Sequence, residues 1–205
     1  KTVGRGVKNL AKHIETLGHF NVPAIVAINE FATDDEEELK IVEDEVHKLG
    51  VPVARSDHWA RGGEGAETLA RTVVDTLETR PADLKFLYAD EAPLLDKVRA
   101  VVQKAYGAED IAADTKLRKR FQKLDEEGYG RLPVCLAKTQ YSLSTDPDLK
   151  GWPKHFNVPL RDVRVSAGAG FVLVLTGDIL TMPGLPKRPA AADIAVALAS
   201  APAWG

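Results

Sequence analysis

The sequence AIVAINEFATD, residues 24–34, indicates the fold of this chain more clearly than any other stretch. Its first five residues are apolar and include β-branched side chains, and polar residues follow directly. Such a run predicts a strand that is buried on both faces. Residues 35–49 then place apolar side chains at helical spacing, with Thr33 or Asp34 as the predicted N-cap and Gly50 as the predicted stop.

A second strand and a second helix are predicted to follow. Residues 51–54 are a short apolar run, residues 55–65 read RSDHWARGGEG, and helical periodicity resumes over residues 66–77. The order strand, helix, strand, helix is typical of a parallel α/β layer, in which ligands bind at the carboxyl ends of the strands. Phe31 follows the first predicted strand and Trp59 follows the second.

These two aromatic residues suggest a binding slot. If the two strands are neighbours, Phe31 and Trp59 face each other across the ends of the strands. A flat, partly polar ligand suits such a slot, because ring stacking adds to the burial of apolar surface. The alternative is that one or both rings simply cap the sheet.

The composition excludes several classes of protein. At 205 residues the chain is long enough for one sizeable core or two small lobes. A net charge of -3 provides no excess of positive charge for binding nucleic acid or an anionic membrane surface. No apolar run is long enough to span a bilayer. The single cysteine, Cys135, fits a reducing, cytoplasmic environment and is expected to be an inert core residue. The five histidines have no zinc-ligand spacing, so no metal site is expected.

The rest of the chain alternates between predicted helices and short strands. Helices are predicted over residues 7–17, 92–106 and 115–127, and strands over residues 132–137, 156–158, 160–165 and 171–175. The Gly-rich segment 166–170 lacks the spacing of a dinucleotide fingerprint, and no phosphate-binding loop ending in Gly-Lys-Thr or Gly-Lys-Ser is present. Residues 62–65 open a helix, where backbone N–H groups could meet an anion or serve simply as helix entry.

Five segments, in order along the chain, resemble formate–tetrahydrofolate ligase. They read NEFATD, HWARGGEG, PVCLAKTQYS, RVSAGAGF and TGDILTMPGLP and begin at residues 29, 58, 133, 164 and 176. The resemblance extends from about Asn9 to Ala191, and the last residues depart from it.

The resemblance implies an α/β fold with a mostly parallel sheet, flanking helices and additional short strands near the C-terminus. The chain would be the C-terminal domain of a P-loop-NTPase-like ligase. Residues 1–20 would form a helix leading from an absent nucleotide-binding part, and residues 21–205 the domain itself, with a folate-slot lobe at about 21–80 and the remainder at 81–205. The chain does not begin with Met and is expected to be a truncated form, inactive alone.

The resemblance also implies a reaction. The complete enzyme would join formate to tetrahydrofolate with ATP and Mg²⁺, and with a monovalent cation, forming 10-formyltetrahydrofolate through formyl phosphate. The expected partners are these substrates, the missing N-terminal part and further copies of the chain, with no nucleic acid and no membrane. No catalytic residue is expected in this fragment. The alternative is a folate-binding or oligomerisation module without activity of its own.

The site residues that the resemblance implies divide into two groups. Phe31 and Trp59 match the two aromatic residues that sandwich the folate ring. The further residues expected to line the cleft are Asn29, Thr33, Asp34, Gly62, Gly63, Lys138, Thr139, Gln140, Tyr141, Thr181, Pro183, Gly184, Leu185 and Pro186. Lys138 and its neighbours could alternatively satisfy local backbone groups. Ala32 stands where the family typically has Pro, and Arg55 and His58 are unusual for it.

Overall fold

The computed structural model of the chain describes residues 2–177 and residue 188. The α-helices of this part are α1 (Thr2–His19), α2 (Glu36–Lys48), α3 (His58–Arg61), α4 (Glu67–Thr79), α5 (Leu94–Val101) and α6 (Thr115–Glu126). Helix α5 continues into a π-helical turn, Val102–Tyr106, and 3₁₀ turns occur at Glu64–Ala66, Tyr129–Arg131 and Ala167–Ala169. None of the described helices is long and apolar enough to cross a membrane.

The strands form three small sheets within the described residues. They are β1 (Val26–Asn29), β2 (Val53–Ser56), β3 (Asp110–Ala112), β4 (Val134–Ala137), β5 (Asn157–Pro159), β6 (Asp162–Ser166) and β7 (Phe171–Leu175). β1 pairs with β2 and β3 with β5, both in parallel, while β7 lies between a parallel β4 and an antiparallel β6. The fold is therefore α/β with small parallel and mixed sheets, and one mostly parallel sheet is not confirmed.

The predicted strand–helix–strand unit is present as β1, α2 and β2. Val26 pairs with Val53 and Asn29 with Ser56, so both strands end at the same edge. The N-cap of α2 is Asp35, whose carboxylate accepts from two backbone N–H groups, and not Thr33 or Asp34. Asp34 instead accepts the backbone N–H of Phe31, which makes it unavailable as a cap.

Burial of β1 differs from the prediction. Val26 is buried, but the next residue, Ala27, is exposed, and so is Asn29. The pleat of a strand sends alternate side chains to opposite faces, so one face of this two-stranded sheet is covered and the other is open. An apolar sequence allows a strand to be buried on both faces. Burial also requires other elements packed on each face of the sheet, and the sequence of the strand does not specify them.

The main hydrophobic core lies between residues 94 and 174. It is formed by side chains from α5, α6 and the strands that follow them. Phe121 of α6 is 1% exposed, and Val158, Val163 and Val172 are fully buried. The three-residue strand β3, which the sequence analysis missed, adds Ile111 to this cluster.

Two further expectations concern the strands around this core. Cys135 was expected inside a buried strand, yet it is exposed on β4, because it lies on the face of that strand turned away from the core. The Gly-rich segment 166–170 forms the tight connection between β6 and β7. Gly170 has a φ of +74°, a left-handed conformation that favours glycine at this turn.

Candidate functional site

Phe31 and Trp59 lie together at the carboxyl ends of β1 and β2. Their ring centroids are 6.5 Å apart, and the ring planes are inclined by 52°. Phe31 is 48% exposed and Trp59 is 78% exposed. The parallel register explains the meeting, because Asn29 and Ser56 are paired at the strand ends and the two aromatic residues follow within three positions. Both rings therefore remain exposed to solvent at the edge of the sheet.

The Phe31 side of the site is held by a reciprocal turn. The backbone N–H of Phe31 donates to Asp34 Oδ2 at 2.8 Å, and the backbone N–H of Asp34 donates to the Phe31 carbonyl at 3.0 Å. A carboxylate that accepts from a backbone N–H three residues earlier is one of the local side chain–backbone bonds that Asp commonly makes. The turn fixes the backbone that carries the ring, immediately before α2 begins.

The Trp59 side is held by a compact helical turn. Trp59 lies in α3, where Arg61 Nε forms an ion pair with Asp57 Oδ2 at 3.0 Å. The Oγ of Ser56, a residue 2% exposed, lies 3.0 Å from Nδ1 of His58. Gly65 packs closely against the start of this turn. A Cβ at Gly65 would lie 2.6 Å from Asp57 Oδ1 and 2.7 Å from the Asp57 carbonyl carbon. Only a glycine allows this approach.

A cavity of about 470 Å³ opens between the two loops. Its lining residues are Glu30, Phe31, Ala32, Thr33, Asp57, Trp59 and Ala60. This volume lies within the range of small-molecule sites, roughly 300–1,000 Å³. We call this cavity the aromatic slot.

Arg55 joins β2 to α2 through contacts that could not be predicted from the sequence. Its guanidinium donates to Glu43 (Nε to Oε1, 2.7 Å) and to Glu36 (Nη1 to Oε2, 2.7 Å). Both carboxylates accept a second hydrogen bond, from Nη2 of Arg55, at 2.8 Å for Glu43 and 2.7 Å for Glu36. The hydrogen bonds to Glu43 and Glu36 raise the pKa of Arg55, and the bond from Arg55 lowers the pKa of the Glu43 carboxyl. β2 and α2, the elements next to the two aromatic residues in the chain, are thereby fixed to each other.

The predicted group that begins with Lys138 lies at the end of β4. The Lys138 ammonium donates to the carbonyls of Thr139, at 2.8 Å, and of Ser142, and it lies 5.0 Å from the ring centroid of Tyr106. Burial lowers the pKa of this ammonium. Lys138 thus organises its own loop in this structure.

The neighbours of Lys138 also contact their own loop. Thr139 Oγ1 accepts the backbone N–H of Tyr141 at 3.3 Å, Gln140 is exposed, and Tyr141 is 64% exposed. None of the four residues 138–141 lines the aromatic slot.

The remaining predicted residues divide by position. Thr33 lines the slot, whereas Asn29 is the last residue of β1 and Asp34 belongs to the loop that follows, and neither of these two lines the cavity. Gly62 ends α3 with a φ of +58°, and an added Cβ at Gly63 would meet nothing within 4 Å. The residues predicted in the Pro-Gly loop, namely Thr181, Pro183, Gly184, Leu185 and Pro186, lie outside the described residues.

Sequence reasoning did not single out Glu30, Asp57 and Ala60, although all three line the slot. The available signal was their position: each is within two residues of one of the two aromatic residues, shortly after the end of β1 or β2. Loops that follow parallel strands converge, so neighbours of a predicted contact residue are themselves good candidates.

Comparisons with known proteins support the resemblance of the five sequence segments to a ligase family. A family model described as formate–tetrahydrofolate ligase matches residues 1–201. The formate–tetrahydrofolate ligase of Granulibacter bethesdensis is 50% identical over 197 residues, which cover 96% of this chain and 34% of that protein. The ligase of Ruegeria sp. strain TM1040 is 48% identical over 194 residues, covering 95% and 35%, respectively.

A third relative gives the same proportions. The formate–tetrahydrofolate ligase of Hyphomonas neptunium is 50% identical over 189 residues, which are 92% of this chain and 34% of that protein. The chain therefore spans about a third of the length of the curated relatives it matches. With a family model that matches residues 1–201, the chain belongs to the formate–tetrahydrofolate ligase family.

Proposed function

We propose that this chain supplies the tetrahydrofolate-binding side of a formate–tetrahydrofolate ligase active site. The observation that carries the proposal is the aromatic slot, in which two exposed rings from adjacent strand ends border a cavity of about 470 Å³. The proposed ligand is the flat bicyclic ring of tetrahydrofolate, held between Phe31 and Trp59. Stacking on aromatic rings suits such a ligand, because dispersion and burial act over both of its faces.

The ring geometry supports insertion after a modest rotation. A ring in van der Waals contact with two others requires centroids roughly 7–8 Å apart and nearly parallel planes. The centroids of Phe31 and Trp59 are 6.5 Å apart, so the separation needs little change, whereas the tilt of 52° must decrease. Trp59 is 78% exposed and has few packing contacts to lose when its ring turns.

The proposed reaction has two steps. A carboxylate oxygen of formate attacks the terminal phosphorus of ATP, releasing ADP and giving formyl phosphate. N10 of tetrahydrofolate then attacks the formyl carbon, the C–O bond to phosphate breaks, and N10 loses its proton. In this scheme the slot holds the folate so that N10 meets the formyl carbon, a contribution of orientation rather than of acid–base chemistry.

We assign the phosphate-binding groups to the part of the relatives' length that this chain does not match, and propose that this part is P-loop-NTPase-like. Within residues 2–177 and 188, no three His, Cys, Asp or Glu side chains come together as a metal site. Formate-dependent ATP turnover by this chain alone is expected to be absent.

Titration of the chain with tetrahydrofolate, followed by tryptophan fluorescence and by calorimetry, tests the proposal. We expect saturable binding that weakens by about 10-fold or more in Trp59→Ala and in Phe31→Ala, because each variant removes one stacking face. Phe86→Ala is the matched control, since Phe86 is 75% exposed and lies outside the slot. Equal binding by all four proteins, or no binding by the folded wild-type chain, would contradict the proposal.

An assembly role is a second candidate, favoured by a different surface. Leu84 is 58% exposed and Phe86 is 75% exposed, next to an apolar cavity of about 560 Å³ that includes Phe86, Leu87 and Tyr88. Exposed apolar patches of this kind often mark contacts between proteins. Sedimentation of the wild-type chain and of Phe86→Ser distinguishes the two, because an assembly role predicts a shift toward monomer in the variant alone.

A further inference from the structure

Glu30 differs from the other carboxylates around the aromatic slot. It is partly buried and lines the cavity next to Phe31, and its backbone N–H donates to the Ser56 carbonyl at 2.9 Å. That bond fixes the base of the side chain against β2. Its carboxylate has no hydrogen bond or ion pair with any residue that the structure describes. Neither Glu30 oxygen is among the buried, unpaired side-chain atoms of the described residues, so the carboxylate is open to a hydrogen-bond donor of a ligand that enters the cavity.

The neighbouring carboxylates are already engaged. Asp57 also lines the cavity, but its Oδ2 forms an ion pair with Arg61 at 3.0 Å. Asp34 accepts the backbone N–H of Phe31 at 2.8 Å and does not line the cavity. Among the described residues that border the slot, Glu30 alone therefore offers an unengaged anionic acceptor.

The chemistry of this acceptor specifies the ligand edge it would bind. An ionised carboxylate accepts hydrogen bonds only, and its two oxygens suit two parallel N–H donors. A 2-amino-4-oxopyrimidine ring presents such a pair, the ring N3–H and the exocyclic 2-amino group, in the plane of the ring. A ring stacked between Phe31 and Trp59 has its faces covered, so its edge is what remains for Glu30 to contact.

We propose that Glu30 is the specificity-determining residue of the aromatic slot and binds the 2-amino-4-oxopyrimidine edge of the stacked ring through its two carboxylate oxygens. This inference rests on the proposed function, since it assumes that the slot holds a pterin-type ring. The two aromatic rings would select for a flat ligand, and Glu30 would add selection for a ligand that carries the matching pair of hydrogen-bond donors. Rings without the donor pair would leave the carboxylate unpaired and would bind less tightly.

A ligand-and-variant cycle tests the proposal. Wild-type chain and Glu30→Gln are titrated by calorimetry with tetrahydrofolate and with its analogue carrying a methyl group in place of the 2-amino group. We expect Glu30→Gln to weaken tetrahydrofolate binding by about 10- to 100-fold, the usual scale for losing a charged hydrogen-bond pair. The analogue keeps N3–H but lacks the second donor, so Glu30→Gln should weaken its binding by a clearly smaller factor than it weakens tetrahydrofolate binding.

Glu37→Gln is the matched control, because Glu37 is an exposed glutamate of α2 that does not line the slot. If Glu30→Gln leaves tetrahydrofolate binding unchanged while Trp59→Ala weakens it, this inference is wrong and the proposed function stands. Equal weakening of both ligands by Glu30→Gln also overturns it. If the folded wild-type chain binds no tetrahydrofolate, the proposed function fails and the inference fails with it.

Discussion

Residues 94–175, the core region, and residues 22–80, the slot region, are stabilised in different ways. The core region contains the main hydrophobic cluster, with seven members that are fully buried. In the slot region, Val26, Leu39, Val46 and Ala54 are the buried apolar residues. Apolar side chains of α4 are turned outward there, with Val74 52% exposed and Leu77 63% exposed.

The slot region depends instead on polar and steric ties. Arg55 joins β2 to α2 through Glu36 and Glu43, Asp34 fixes the Phe31 turn, and Gly65 fits against Asp57. Buried apolar area is the larger source of stability, so the core region should unfold last. The proposed binding site lies in the slot region, and ligand-binding loops are commonly drawn from the less stable part of a fold.

Phe121→Ala gives the largest expected effect on this comparison. Phe121 is 1% exposed within the core cluster, and its truncation should lower the free energy of unfolding by about 3–5 kcal/mol, through lost burial and the cavity left behind. Urea denaturation followed by circular dichroism measures it. Leu77→Ala, on the exposed face of α4, should change the same quantity by no more than about 0.5 kcal/mol. A comparable loss in both variants would mean that the exposed face of α4 is covered in solution.

Gly65→Ala addresses the slot region. The added Cβ would lie within 2.8 Å of the Asp57 carbonyl oxygen and carboxylate, so the turn that carries Trp59 must shift. We expect a loss of about 1–3 kcal/mol in unfolding free energy and weaker tetrahydrofolate binding, measured by denaturation and calorimetry. Gly63→Ala, two residues earlier, meets nothing within 4 Å and has helical backbone angles, and should behave like the wild type. Equal effects at both glycines would exclude a role for this close packing.

Arg55→Gln should have the smallest effect, and that effect depends on pH. Its pairing with Glu43 is partly exposed, so the expected loss near neutral pH is about 1 kcal/mol or less. Arg55 holds the pKa of Glu43 below its ordinary value near 4.5. The stability from this bond is therefore fully present above pH 4.5 and is lost as the pH falls through the folded-state pKa.

Amide exchange in β1 and β2 measures the Arg55 contribution. Wild type and Arg55→Gln should differ near pH 7 and converge as the pH falls through the lowered pKa of Glu43. Lys40→Gln is the control, because Lys40 pairs with Asp44 on an exposed part of α2. A difference that grows as the pH falls would have the wrong sign for this ion pair.

The parts of the fold that could be predicted are those fixed by local pattern. The β1–α2–β2 unit follows from an apolar run, a helical repeat and Gly50, and the parallel arrangement brings Phe31 and Trp59 together as expected. The N-cap was missed because Thr33, Asp34 and Asp35 are all competent caps, and the hydrogen bond of Asp34 to Phe31 decides among them. Residue preferences for the N-cap position do not distinguish these three candidates, because the outcome depends on the hydrogen-bond geometry of the folded loop.

Other features depend on contacts distant in sequence. Ala27 is exposed because no other element of the described part of the chain covers its face of the strand, and the sequence of the strand itself does not determine which elements pack on it. The four hydrogen bonds of Arg55 join residues 12 and 19 positions apart, beyond the reach of helical spacing rules. Lys138 was a plausible ligand contact by residue type, yet three-dimensional proximity directs its ammonium to carbonyls of its own loop.

The outward position of Cys135 has a practical chemical consequence. It is the single cysteine of the chain and lies exposed on β4, so one thiol per molecule is open to maleimide labelling without mutagenesis. The same thiol can be oxidised by air and join two chains through an intermolecular disulfide. Sedimentation experiments on this protein therefore require a reductant, because a covalent dimer formed during storage would otherwise be counted as assembly.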